Sequence, residues 1–192
     1  MRISIEGNIG SGKSELLHRL QLHGHHVVQE PVDSWATVLS RFYAAKQRWG
    51  MTMNLTALLS FLDVPAQAAD GGPVVVERSP LSCLEVFARM HKNEGVMSEK
   101  EWQLCQDLHS LTAWTPDVIV YLLTPPAVCL ERVQTRNRSG EGPVDYEYLS
   151  RLHFAHGTMM RWFTGEIHLV DSTQDAETVA GRVHDILQGY QA

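Results

Sequence analysis

The sequence predicts an α/β fold, a parallel sheet covered by helices on both faces. Five short apolar runs recur along the chain, and segments of helical period lie between them. A glycine-rich turn links the first run to the first helix. With 192 residues, 44% hydrophobic and 20% charged, the chain suits one domain with a full core. No internal repeat, low-complexity stretch or long linker divides it, so residues 1–192 are read as a single domain.

The predicted strands are Ile3-Ser4-Ile5, His26-Val27-Val28, Val74-Val75-Val76, Val118-Ile119-Val120-Tyr121-Leu122 and Ile167-His168-Leu169-Val170. Glu15 to Leu20 has helical spacing after the first strand. The stretch from Ser34 to Ala69 reads as two helices inserted between the second and third strands, broken near Trp49-Gly50. His23-Gly24-His25-His26 falls where the first helix turns back, and it is expected to be a solvated turn. No carboxylate or cysteine stands at a metal-binding offset to it. His153 and His156 share a helix face as surface or half-buried residues, and neither is assigned a metal.

The net charge of −6 argues against a general binder of nucleic-acid polymers or anionic membranes. No stretch approaches eighteen apolar residues, and the N-terminus starts directly with a strand. No membrane span and no signal or transit peptide are therefore expected. The three cysteines, Cys83, Cys105 and Cys129, share no metal-ligand spacing. They suit a reduced intracellular compartment, the cytoplasm being the simplest.

Residues 7–14 read Gly7-Asn8-Ile9-Gly10-Ser11-Gly12-Lys13-Ser14, a P-loop between strand and helix. Its glycines let the backbone curl so that N–H groups face an anion, and the helix beginning near Lys13 adds its positive end. Lys13 would reach the terminal phosphates of ATP, and the Ser14 hydroxyl would bind Mg²⁺. A nucleoside triphosphate is the predicted ligand, within a three-layer α/β/α P-loop NTPase architecture with a five-stranded parallel sheet.

In such sheets ligands sit beyond the carboxyl ends of the strands. Glu30-Pro31 follows the second strand, and the proline holds Glu30 extended at its mouth. Glu30 reads either as a general base for a hydroxyl attacking the γ-phosphate or as a surface carboxylate. Glu77-Arg78-Ser79-Pro80 follows the third strand. Glu77 stands where a second Mg²⁺ contact belongs, and Arg78 is a fixed cation for Glu30 or the transferred group. Arg132, Arg136 and Arg138 follow the fourth strand, before the loop-like Ser139-Gly140-Glu141-Gly142-Pro143. Together they suggest a lid over about 132–143 that closes on ATP.

These motifs resemble the deoxynucleoside kinase family, which includes deoxycytidine kinase, deoxyguanosine kinase, mitochondrial thymidine kinase and the insect multisubstrate enzyme. The resemblance rests on Ile5-Glu6 and the P-loop, Glu30-Pro31-Val32, Glu77-Arg78-Ser79, Arg132-x-x-x-Arg136-x-Arg138, and Tyr146-Glu147-Tyr148-Leu149 with Leu152-His153. It implies Glu30 as base for a deoxyribose 5′-hydroxyl, with Arg78 beside it. It also implies Tyr43 and Glu141 at the 3′-hydroxyl, Trp35 as a pocket wall, and Phe87 stacked on the base. ATP with Mg²⁺ and a deoxynucleoside are the implied ligands, and a homodimer the implied assembly.

Base recognition departs from the family pattern. Asn54 stands where the family usually has glutamine, one methylene longer. Phe61 and Cys83 occupy positions that are arginine and aspartate in deoxycytidine kinase-like members. Gly140 replaces the first of two acids after the lid arginines. The apolar pair points to thymidine or broad pyrimidine acceptors. A nucleoside-monophosphate kinase such as thymidylate kinase is the alternative, although Glu30-Pro31 suits an uncharged hydroxyl acceptor better. A non-catalytic nucleotide-binding module is disfavoured by the intact Lys13, Ser14, Glu30, Glu77 and Arg78.

Overall fold

The computed structural model describes residues 1–112, 114–136 and 144–190. Among these, five strands form one parallel sheet in the order β2-β3-β1-β4-β5. They are β1 (Arg2–Gly7), β2 (His26–Val28), β3 (Val74–Glu77), β4 (Val118–Leu123) and β5 (Glu166–Asp171). All five predicted runs are strands, each extended by no more than a residue or two at an end.

Parallel neighbours need crossover connections, and helices supply them. α1 (Lys13–Leu22) links β1 to β2. A 3₁₀ turn (Val32–Trp35), α2 (Ala36–Ala44) and α3 (Lys46–Leu59) lie between β2 and β3. After β3 come α4 (Pro80–Ser82), a π-helical stretch (Cys83–Ala88), α5 (Arg89–Asn93) and α6 (Glu99–Thr112). α7 (Pro126–Arg136) and α8 (Tyr146–Trp162) precede β5, and α9 (Ala176–Gln188) follows it.

Side chains alternate across the strands, so one sequence run feeds two cores. Val118, Val120 and Leu122 of β4 pack with Leu16, Leu17 and Leu20 of α1 and Val183 and Leu187 of α9. Ile119 and Tyr121 face the other way, against Tyr148, Leu152 and Met159 of α8 and Val86 and Met90. Each buried side chain of this size stabilises the fold by roughly 1.5–3 kcal/mol. The two cores clamp β4 from both faces, and the first also buries Ile3 and Ile5 of β1, the strand that launches the P-loop.

Four expectations need correction. The inserted helices part at Ala45, whose backbone leaves the helical region (φ −151°, ψ 74°), and not at Trp49-Gly50. Gly50 lies inside α3, where a Cβ would stand 2.5 Å from Val96 Cγ1. The second helix also stops at Leu59 rather than near Ala69. The turn after α1 is not wholly solvated: His25 is buried, its Nε2 2.8 Å from Nδ1 of His184 on α9. His156 is fully buried, with Nδ1 2.8 Å from the Leu152 carbonyl.

Candidate active site

The order β2-β3-β1-β4 places the carboxyl ends of β1 and β3 side by side, and their register pairs Ile5 with Glu77. The P-loop and the Glu77-Arg78 turn therefore emerge at one end of the sheet, with Glu30 beyond the adjacent β2. Glycine is required within the loop. Gly10 has φ +81°, and a Cβ there would lie 2.5 Å from the Cys129 carbonyl oxygen. The loop is tied down from outside by Asn8, whose side-chain amide donates to the Leu149 carbonyl of α8 (2.8 Å).

Lys13 Nζ donates to the carbonyls of Asn8 (2.9 Å) and Gly7 (3.2 Å). Burial, reinforced by neighbouring Arg78, lowers its pKa to about 8. The Ser14 hydroxyl donates to Glu77 Oε1 at 2.9 Å, and Glu77 Oε2 accepts the Glu30 backbone N–H at 3.4 Å. One carboxylate thus links the loop to the residue after β2.

Arg78 sits at the centre. Its Nε is 3.4 Å from Glu30 Oε2, its Nη1 donates to the Gly7 carbonyl at 3.1 Å, and its guanidinium lies 4.8 Å over the Phe87 ring. It is the sole non-glycine residue with positive φ (64°) among the described residues, an uncommon conformation for a long side chain that functional sites often hold. Burial alone would lower its pKa, yet Glu30, Glu6 and Glu77 hold it above the ordinary value. Burial raises the Glu30 pKa; Arg78 opposes that shift and Glu77 adds to it. Glu6 lies beneath, fully buried, with Oε1 accepting from the Ser79 hydroxyl at 2.7 Å. Its pKa rises to about 7, through burial first, with Arg78 pulling the other way.

A cavity of about 420 Å³ opens over these groups. It brings together most of the residues predicted from sequence: Gly10, Gly12, Lys13, Ser14, Glu30, Trp35, Tyr43, Asn54, Glu77, Arg78, Cys83, Phe87, Arg132 and Arg136, and Ile9 as well. Phe61 is not among them. It is buried one layer behind Cys83, edge-on to Trp114. Arg138 and Glu141, and with them the distal part of the expected lid, lie outside the described residues. Arg132 is anchored, donating to the carbonyls of Ser11 (3.4 Å) and Ser172 (2.8 Å).

Sequence reasoning missed several residues. His91, Tyr148, Phe42 and Met53 also line the cavity. A second cavity of about 280 Å³ adjoins the P-loop, with Ser172 and Gln174 in its wall. Those two follow β5, so the strand-end rule already applied to β2 and β3 was signal enough to find them. Burial drives the His91 pKa down to about 4, helped by Lys46, which keeps its ring neutral.

The charge arrangement fits phosphoryl transfer. Two cations and three carboxylates converge at the strand ends, a nucleotide-sized groove lies on one side, and a mostly apolar chamber lies on the other. Comparison with known proteins agrees. A putative kinase, protein 029R of Invertebrate iridescent virus 3, is 32% identical over 186 residues, covering 96% of this chain and 95% of that protein. Deoxycytidine kinase 2 of Gallus gallus is 32% identical over 194 residues, 83% of this chain and 73% of that protein. The fold matches a structure of deoxyadenosine kinase from M. mycoides with dCMP and a flexible dCDP bound. The TM-score is 0.86 over 98% of this chain and 99% of that one, at 19% identity. The deoxynucleoside kinase family model matches residues 3–187, so strand ends, P-loop and chamber are those of a member, and the chain belongs to the deoxynucleoside kinase family.

Proposed function

We propose that this enzyme transfers the γ-phosphoryl group of ATP to the 5′-hydroxyl of a pyrimidine deoxynucleoside, with thymidine the favoured acceptor. The observation that carries this reading is the Glu30–Arg78 pair, 3.4 Å apart, at the junction of the P-loop and the apolar chamber. In the proposed reaction Glu30 accepts the hydroxyl proton as the new O–P bond forms, and the bond to ADP breaks with its electron pair left on ADP. Burial makes Glu30 a stronger base, while Arg78 keeps it ionised. Lys13, Arg78, Arg132 and Arg136 would offset charge on the phosphates. The smaller cavity beside Gly12, Arg132 and Gln174 suits the nucleoside end of the donor.

Ser14 and Glu77 supply converging hydroxyl and carboxylate oxygens, a hard donor set that fits Mg²⁺. Such an ion takes most of its remaining ligands from water and phosphate, so two protein oxygens suffice. When bound it would neutralise the β- and γ-phosphate oxygens.

On the acceptor side the chamber is walled by Trp35, Leu39, Phe42, Tyr43, Met53 and Phe87. These walls suit an uncharged nucleoside. Cys83, whose thiol burial pushes up, presents an uncharged surface where a 5-methyl group would pack. A homodimer is supported by large apolar side chains left exposed on two helices that pack together, Leu104 and Leu111 on α6 and Leu59 at the end of α3, with Leu62 following it. The three cysteines are free and buried, which supports a reduced compartment, the cytoplasm being the simplest. No helix of the described residues is long and apolar enough to cross a membrane.

The test is an ATP phosphorylation panel against the four deoxynucleosides and thymidine monophosphate. Turnover of thymidine or deoxycytidine, with none of the monophosphate, is expected. Phosphorylation of the monophosphate alone would overturn the proposal.

A further inference from the structure

The side chain expected to read the base is already committed elsewhere. The Asn54 amide nitrogen donates to the Gly50 carbonyl at 2.7 Å, meets His91 Nδ1 at 2.9 Å, and lies 3.5 Å from Met97 Sδ. The Gly50 contact fixes which end of the amide points there, because a carbonyl oxygen accepts and another oxygen cannot donate to it. Nδ1 of His91 must therefore act as the acceptor. A neutral imidazole that accepts at one nitrogen carries its proton on the other.

His91 consequently holds an N–H at Nε2. The residue is 4% exposed, and Nε2 has no hydrogen-bond partner among the described residues. A buried donor without a partner is costly, on the order of a lost hydrogen bond, and calls for an explanation. The His91 ring lines the same chamber as Asn54, Trp35 and Phe87, and it is held by a tilted contact with Phe42 at 5.0 Å. Asn54 keeps only its carbonyl oxygen, which no hydrogen bond occupies among the described residues.

We propose that His91 is a specificity-determining residue that reads the nucleobase by donating from Nε2–H to an acceptor on its edge. Asn54 holds the imidazole in the required tautomer and offers its carbonyl oxygen to a neighbouring N–H of the base. Two residues, 37 positions apart, together present the donor and acceptor that a single longer amide would carry. A pyrimidine satisfies both groups, since its ring nitrogen and exocyclic group place a donor next to an acceptor.

This inference rests on the deoxynucleoside acceptor proposed above, and the experiment separates the two. Wild-type enzyme, His91→Leu and His91→Gln are compared for kcat and for KM of each deoxynucleoside and of ATP, with thermal melts to establish folding. His91→Leu should raise the KM of the preferred nucleoside about tenfold, with kcat and the KM of ATP within about threefold of wild type. His91→Gln restores an N–H donor and should recover much of the loss. An unchanged nucleoside KM in His91→Leu overturns the assignment. So does a loss spread equally over kcat and both KM values that glutamine fails to rescue, since that marks a brace for Asn54 alone. If wild-type enzyme phosphorylates no deoxynucleoside, the proposed function has failed instead.

Discussion

Replacing Glu30 with glutamine removes a proton acceptor while keeping shape and one oxygen that can still face Arg78. In the structure the carboxylate and guanidinium are 3.4 Å apart, and the Glu30 side chain is 13% exposed. A positioned general base contributes about 10²–10⁴-fold. At about 1.36 kcal/mol per decade, that is roughly 2.7–5.4 kcal/mol of barrier. Removing one partner of a buried pair can also cost about 3–5 kcal/mol of stability. Here Arg78 keeps the Gly7 carbonyl, the Phe87 face and the charges of Glu6 and Glu77, so most of that cost is averted and the variant should fold. The assay is steady-state ADP release with nucleoside and ATP varied, from pH 5 to 9. The wild-type rate should fall toward acid through a raised carboxylate pKa, because protonated Glu30 cannot accept the hydroxyl proton. The variant should lose that limb, with kcat lower by the factor above and nucleoside KM little changed. A kcat within about threefold of wild type, or a surviving acid limb, would refute Glu30 as the base.

Other consequences are as direct. Lys13→Ala should abolish turnover with every acceptor while nucleoside binding by calorimetry survives; retained turnover would mean that the P-loop does not hold the donor. Gly10→Ala forces a Cβ to 2.5 Å from the Cys129 carbonyl at a φ of +81°, so it should cost about 1–3 kcal/mol in a denaturant melt. An unaltered melt would show that the loop can relax. Glu6 binds its proton more tightly folded than unfolded, with a pKa about 7 against 4.5. Its contribution is fully present below pH 4.5 and lost as pH rises through 7, about 3 kcal/mol in all. Glu6→Gln should flatten that descent in the pH dependence of unfolding, and an identical slope would show that another group causes it.

What was legible in the sequence was local. The P-loop could be read because its spacing is a backbone requirement confined to eight residues, and Glu30 and Arg78 because strand ends converge in a parallel sheet. Gly50 was misread for the opposite reason. In isolation a glycine in a helix marks a break, but this one makes room for Val96, 46 positions away. Phe61 lies seven residues after Asn54, which on a continuous helix would share its face. The helix ends at Leu59, and the chain carries Phe61 beneath Cys83 instead. His91 gave no signal, because its meaning depends on Asn54, and no spacing rule links positions on two different helices.

The π-helical stretch Cys83–Ala88 gives the acceptor chamber an unexpected vulnerability. Cys83 and Phe87 lie within it, and His91 lies just past it. A π turn holds one residue more than an α turn. Tightening the segment to α-helix at unchanged length would carry that extra residue into the helix and rotate everything beyond it by about 100°. His91 would swing off Asn54 and Phe87 would leave Arg78, although neither residue had been replaced. Helix winding here acts as a registration mark, one that a survey of substitutions alone would pass over.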